Sequence, residues 1–198
     1  MNKLNFVVKS ELIVGVDEVG CGSLVGNIVS AAVILNYRTP IYGLKDSKKL
    51  SIKSRMRLSK EIIAKARYWG IGSVNIEEIE QLNVFRARLL AMYRAVQKLN
   101  VFPDFIFFDG KHVPNIHIPS MSIVQGDNMI PEISAASILA KVYRDTEMIN
   151  LDKIYPEYNF KDNKGYPTQY HLNALLKYGH TIFHRRSFFP VQKLFNNK

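Results

Sequence analysis

Cysteine is almost absent from this 198-residue chain, Cys21 being the single one. One thiol excludes an intramolecular disulfide and any zinc site built from cysteines. Long hydrophobic runs are also missing, and no amphipathic anchor is evident, so neither a membrane span nor membrane association is expected. The N-terminal MNKLNFVVKSELIV carries Lys9 within what would be a signal-peptide core. A cytoplasmic location is the expectation that follows. Repeats, low-complexity tracts and evident linkers are absent too. The five histidines, His112, His117, His171, His180 and His184, lack a ligand spacing such as H-E-x-x-H. Negative charge is scarce. With 17 Asp+Glu against 27 Lys+Arg, the net charge is +10. That excess favours a polyanionic partner, chiefly nucleic acid, although charge alone suits a solvated surface equally well.

What remains is an ordinary globular composition, 47% hydrophobic and 22% charged. The length fits one domain over 1–198 with a sizeable core. After about residue 150 the chain becomes richer in Tyr, Lys, Asn and His, which reads as an appended C-terminal segment.

The hydrophobic pattern gives a coarse outline. Leu12 to Val19 and Asn27 to Leu35 read as strands, separated by Gly20-Cys21-Gly22. Ser51 can cap a helix running to about Ala66, and Tyr68 to Ile76 reads as a third strand. From Leu82, the residues Phe85, Leu89, Met92, Val96 and Leu99 form a helical core stripe. Asp104 to Asp109 is an apolar strand expected inside the sheet, and Ile116 to Val124 is a weaker fifth. Pro131 suits the first turn of a helix to about Ile149, and Thr168 and Gly179 can cap and stop another. Three early strands followed by strands alternating with helices predict a mixed α/β sheet.

Acids close two of the apolar runs: Asp17 and Glu18 after Ile13 to Val16, and Asp109 after Phe105 to Phe108. Asp127 follows in Gln125-Gly126-Asp127. A carboxylate at the end of a buried strand is costly unless paired. Four such acids on a basic chain suggest bound divalent cations, and Mg²⁺ and Mn²⁺ favour carboxylate oxygens. Two such ions can cleave a phosphodiester. Taken singly, each acid fits a turn or cap more readily than a metal site. Neighbouring strand residues point to opposite faces, so Asp17 and Glu18 cannot both face one way in regular geometry.

Further polar features are candidates for phosphate contact. Ser134, Ser137, Lys141 and Arg144 form one stripe on the helix after Pro131, which is otherwise a solvated face. Asp46-Ser47-Lys48-Lys49 offers amides and lysines before a helix, or a simple charge cluster. Tyr166, in Gly165-Tyr166-Pro167-Thr168, can stack on a sugar or base, or cover core. His184, beside Arg185 and Arg186, reads as structural or phosphate-facing rather than as a metal ligand.

The segments GVDEVGCGSLVG, DSKKLS, FFDG, QGD, ISAASILAKVYRD, KGYPTQYH and HRRSF, in this order from Gly15 to Phe188, together resemble ribonuclease HII. The resemblance implies an RNase H-like α/β fold, a mixed sheet flanked by helices with a helical C-terminal part over about 150–198. It implies a metal-dependent endonuclease, a phosphodiester hydrolase that cuts the RNA strand of RNA–DNA hybrids. It also implies ribonucleotide excision, with DNA nicked 5′ to an embedded ribonucleotide to leave 3′-hydroxyl and 5′-phosphate ends. Asp17, Glu18, Asp109 and Asp127 would be the catalytic, metal-binding acids, using Mn²⁺ or Mg²⁺. Tyr166 would read the RNA-to-DNA junction. Gly20, Cys21, Gly22, Lys48, Ser134, Lys141 and Arg144 complete the expected substrate contacts. The expected partners are the hybrid and ribonucleotide-containing duplex DNA, bound by a monomer. One departure stands out: the family usually has Gly-Arg-Gly where this chain has Gly20-Cys21-Gly22, and a proline where it has Ser23. Backbone recognition of a 2′-hydroxyl can survive this, whereas a phosphate contact from the arginine cannot.

Overall fold

The computed structural model describes residues 12–196. The reading made on Lys9 lies outside the described residues. Five strands form one sheet in the order β3-β2-β1-β4-β5. They are β1 (Ile13–Val19), β2 (Ile28–Ile34), β3 (Tyr68–Val74), β4 (Phe105–Asp109) and β5 (Ser120–Ile123). The first three pair antiparallel, while β4 runs parallel to both β1 and β5. The parallel pairings put the carboxyl ends of β1, β4 and β5 on one edge of the sheet. Each acid-ended run therefore terminates in the same place.

Helices cover both faces. They are α1 (Ile52–Lys65), α2 (Ile76–Gln97) and α3 (Pro131–Ile154), followed by α4 (Phe160–Asn163), α5 (Gln169–Tyr178) and α6 (Phe189–Asn196). Every residue of β2 is buried, because alternate side chains meet different helices. Ala32 and Ile34 join Met92, Ala95 and Val96 of α2. Val29, Ala31 and Val33 join Leu58 and Ile62 of α1 and Ala135, Ala136, Ile138 and Leu139 of α3. The small residues of α3 let it lie directly on β1. A Cβ at Gly15 would come within 2.1 Å of the Glu132 backbone. The C-terminal helices pack over the far half of α3 through Met148, Leu151, Tyr158, Phe160, Ala174, Leu175 and Val191.

Caps account for most boundaries. The Ser51 side chain accepts from the Ser54 amide at the start of α1, and that of Thr168 accepts from the His171 amide at the start of α5. Helix α2 begins at Ile76, ahead of the expected Leu82, because Asn75 and Glu78 form a reciprocal capping box. The periodic stripe starts late because the helix is kinked at Asn83. Phe85 departs from the core-stripe reading: it is 47% exposed and meets His112 edge-on at 5.0 Å between ring centroids. Helix α3 continues to Ile154, past the expected Ile149, and β5 is shorter than expected. Among the described residues, no helix is long and apolar enough to cross a membrane.

Candidate active site

Strand pleating settles how the four acids are presented. Ile13, Gly15 and Asp17 lie on the α3 face of β1, and Val14, Val16 and Glu18 on the α2 face. Asp17 shares its cavity wall with Ser137 of α3, whereas the Glu18 Oε1 lies 3.5 Å from Nη1 of Arg88 on α2. The pair thus straddles the end of β1, as the alternation requires. In the parallel register Val16 opposes Phe108, so Asp17 and Asp109 follow as neighbours at adjacent strand ends. Asp109 Oδ1 accepts the Gly126 amide at 2.8 Å, which ties β4 to the turn holding Asp127. Asp127 occupies a 3₁₀ turn, Gly126–Asn128, entered through Gln125 in left-handed conformation. Its carbonyl accepts from Ser134 Oγ at 2.7 Å.

All four acids line one cavity of about 520 Å³, together with Ser47, Lys48, Ser137, Lys141 and Tyr166. A second cavity, of about 840 Å³, adjoins it through Lys48, Asp109 and Asp127, and adds Lys49, Arg88, Lys111 and His112. Burial, then repulsion from Glu18 and Asp109, holds the Asp17 carboxyl well above its ordinary range. Burial raises Glu18 as well, against the opposing Arg88. Asp127 is raised by burial, then by Asp109 and Asp46. Among the described residues, no three His, Cys, Asp or Glu side chains are gathered into a ready-made cage for an ion. The donor chemistry nonetheless fits a hard divalent cation. The four groups are carboxylates around one cavity, and for Asp17, Glu18 and Asp127 burial and neighbouring acids disfavour the charged form, a strain that a cation relieves.

The neighbouring motifs hold these walls in place. Asp46 caps its own turn by accepting the Lys48 amide at 2.9 Å. Ser47 is hydrogen-bonded to Ser137 at 3.0 Å, and its carbonyl accepts from Arg55 at 2.5 Å. The loop carrying Lys48 is thereby docked on α3. Lys141 reaches the cavity wall while pairing with Asp145 at 2.7 Å.

Two expected substrate contacts take other places. Ser134 is buried and holds the backbone of Asp127 and Ile130. Arg144 is 2% exposed and turns beneath the Gly20–Asn27 loop. It donates to Ser23 Oγ at 3.1 Å and to the Val25 carbonyl. The polar stripe on α3 is real, but its last residue lies past the cavity, where the loop and the C-terminal helices cover it.

Sequence reasoning missed several residues. Arg185, fully buried, donates to the carbonyls of Cys21, Gly26 and Asn27 at 2.8–3.2 Å. It and Arg144 fix the loop from below. Arg88, on a helix read only as core, reaches Glu18. Cys21 points its sulfur towards Glu18 Oε1 at 3.9 Å. Gly22 faces Tyr166, whose Cε1 would lie 3.7 Å from an added Cβ. The HRRSF segment contained a signal, since two adjacent arginines include one that is buried, but nothing local says which.

A family model described as Ribonuclease HII matches residues 14–191. The chain belongs to the ribonuclease HII family. It is accordingly a ribonuclease and a metal-dependent hydrolase. Solved structures repeat its fold. The ribonuclease H2 of Pyrococcus horikoshii OT3 superposes with a TM-score of 0.80 at 24% identity, covering 93% of this chain and 97% of that one. The RNase HII of Archaeoglobus fulgidus, solved in complex with PCNA, gives 0.72 at 22% identity over 88% and 92%. Bst-RNase HIII, solved in complex with Mn²⁺, gives 0.70 at 17% identity over 96% and 71%. The mixed sheet with its helical C-terminal region is thus the RNase H-like fold shared by ribonuclease HII structures.

Proposed function

We propose that this member of the ribonuclease HII family hydrolyses the RNA strand of RNA–DNA hybrids and nicks duplex DNA 5′ to an embedded ribonucleotide, leaving 3′-hydroxyl and 5′-phosphate ends. The observation that carries this reading is the single cavity shared by Asp17, Glu18, Asp109, Asp127 and Tyr166. Asp17, Glu18, Asp109 and Asp127 would hold Mn²⁺ or Mg²⁺. When bound, such an ion lowers the pKa of a coordinated water and offsets charge on the phosphate. Lys48 and Lys141, which both line the cavity, attract the phosphate backbone and orient the scissile group. The backbone of Gly20, Cys21 and Gly22 faces the 2′-hydroxyl, because glycines allow close approach. Tyr166 packs on the sugar beyond it. Ser134 positions Asp127, and Arg144 positions the glycine loop.

The test is a gel assay on two duplexes, one with a single embedded ribonucleotide and one a uniform RNA–DNA hybrid, with Mn²⁺, Mg²⁺ or EDTA. Cleavage of both with either ion, a cut 5′ to the ribonucleotide and silence in EDTA are expected. Cleavage of the hybrid alone overturns the junction reading. Activity undiminished in EDTA overturns the role of the acids.

A further inference from the structure

Two buried imidazoles stand behind Tyr166. His171 and His184 are 0% and 1% exposed, and their Nε2 atoms face each other at 3.1 Å. The remaining nitrogens are also engaged. His184 Nδ1 lies 2.9 Å from the Thr181 amide and 2.9 Å from Thr181 Oγ1. His171 Nδ1 lies 2.9 Å from the carbonyl oxygen of Tyr166. The rings of Tyr158 and Phe160 close the site, with centroids 5.2 Å from His184 and 5.3 Å from His171 respectively.

These partners leave one assignment of protons. A backbone amide can only donate, so His184 Nδ1 accepts and its Nε2 carries the hydrogen. That hydrogen points at His171 Nε2, which must therefore be bare. The proton of His171 then lies on Nδ1, where the Tyr166 carbonyl accepts it. The chain runs in one direction, from the Thr181 amide through His184 and His171 to Tyr166. A second proton on either ring would set N–H against N–H, or N–H against the Thr181 amide.

The carbonyl at the end belongs to a turn with little other freedom. Tyr166 donates its amide to the Asn163 carbonyl at 2.9 Å. The Gly165 amide is held by Asn163 Oδ1 at 2.8 Å. The Gly165 carbonyl accepts the Leu24 amide at 2.8 Å. The Tyr166 carbonyl accepts the Thr168 amide at 2.8 Å, and His171 Nδ1 is its second partner, the one contributed by a side chain.

We propose that His171 and His184 form a neutral, one-directional hydrogen-bond relay that positions Tyr166 for its discrimination between a ribonucleotide junction and a uniform hybrid. The proposal rests on the reading of Tyr166 given under Proposed function, and makes both histidines positioning residues.

The test uses the full chain and three variants: Tyr166→Ala, His171→Gln and His171→Asn. Glutamine places its amide where Nε2 was, so it can still meet His184 but loses the Tyr166 carbonyl. Asparagine places its amide near Nδ1, keeping the Tyr166 carbonyl and losing His184. The reading is the ratio of kcat/KM on a single-ribonucleotide duplex to that on a uniform hybrid. Tyr166→Ala should lower the ratio about tenfold. His171→Gln should lower it roughly 2- to 10-fold, the range for one lost hydrogen bond. His171→Asn should keep it within about twofold, even where it melts earlier because His184 is left without an acceptor. Nitrogen-15 NMR of the wild type should show the Nδ1–H tautomer for His171 and the Nε2–H tautomer for His184. An Nε2–H tautomer at His171 overturns the relay. An unchanged ratio in His171→Gln, with a lowered one in Tyr166→Ala, also overturns it while leaving the role of Tyr166 intact. Equal losses in Gln and Asn variants reduce the pair to core packing. An unchanged ratio in Tyr166→Ala removes the junction reading and the relay's purpose together.

Discussion

The Leu24 amide donates to the Gly165 carbonyl at 2.8 Å, joining the glycine loop to the turn that carries Tyr166. Ser23 strengthens the joint: its hydroxyl lies 3.4 Å from the Lys164 carbonyl and accepts from Arg144 at 3.1 Å. The serine that replaces the family's usual proline thus has a structural use here. Two segments 141 residues apart in sequence are held as one wall of the cavity.

Tyr166→Ala is expected to impair cleavage at a single ribonucleotide more than cleavage of a uniform hybrid. Aromatic stacking contributes ~1–3 kcal/mol per base, and a sugar contact falls at or below that range. Steady-state rates on both duplexes check it. Equal losses would show that Tyr166 does not read the junction.

Asp17→Asn is expected to nearly abolish cleavage and, in EDTA at neutral pH, to raise the melting temperature. Burial and then Glu18 and Asp109 hold the Asp17 carboxyl well above its ordinary value. A carboxyl with a raised native pKa adds stability below its unfolded pKa and loses it as pH rises through the native value. At neutral pH, above the unfolded value, the wild type therefore carries a penalty for burying this carboxyl, which asparagine removes. The difference in melting temperature should shrink as pH falls towards 4, where the wild type is protonated too. Mn²⁺ should stabilise the wild type and not the variant. Scanning calorimetry across pH decides; a variant less stable than wild type in EDTA at pH 7 refutes the account.

Cys21 is expected to resist alkylation in the folded protein at pH 8. Burial, then the neighbouring Glu18, pushes its thiol up to about 12, and the thiolate is the reactive form. A thiol reagent should modify it far more slowly than it modifies a free cysteine. Reaction at the rate of a free cysteine would place the side chain in solvent rather than against Glu18.

His184 should remain neutral across pH 5 to 8. Burial, followed by His171 and His180, lowers its pKa to about 3, and burial also lowers His171. The groups around the pair are the Tyr158 and Phe160 rings, Thr181 and the Tyr166 carbonyl. Below pH 6.5 the unfolded chain takes up protons that these rings refuse, so this pair lowers stability as pH falls towards 3. An NMR titration midpoint near 6.5 for either ring would mean that water reaches the pair.

Gly15→Ala should destabilise the fold by about 1–3 kcal/mol or more, since the added methyl overlaps backbone rather than a movable side chain. The 2.1 Å approach to Glu132 requires α3 to shift away from β1. Urea denaturation measures the loss. An alanine variant as stable as wild type would contradict the direct seating of α3.

The sequence by itself determined the sheet, the main helices and the four acids. Those features are written locally: an apolar run ending in a carboxylate, or Ser51 and Thr168 preceding a helical stripe, carries its meaning in a few neighbouring residues. The order of the seven motifs also disclosed the family. The early start of α2 was legible in principle through Asn75 and Glu78, but its stripe pointed to Leu82 because the helix bends at Asn83. What only the tertiary structure decided is which polar side chains face the cavity and which turn inward. Lys141 and Arg144 share one helical stripe, yet Lys141 lines the cavity and Arg144 is buried, because the Gly20–Asn27 loop and the C-terminal helices cover the end of that stripe. Arg185 and the His171–His184 pair follow the same logic. Their roles depend on carbonyls and amides brought from distant segments, and hydrogen bonds of that kind leave no periodicity in the chain from which to read them.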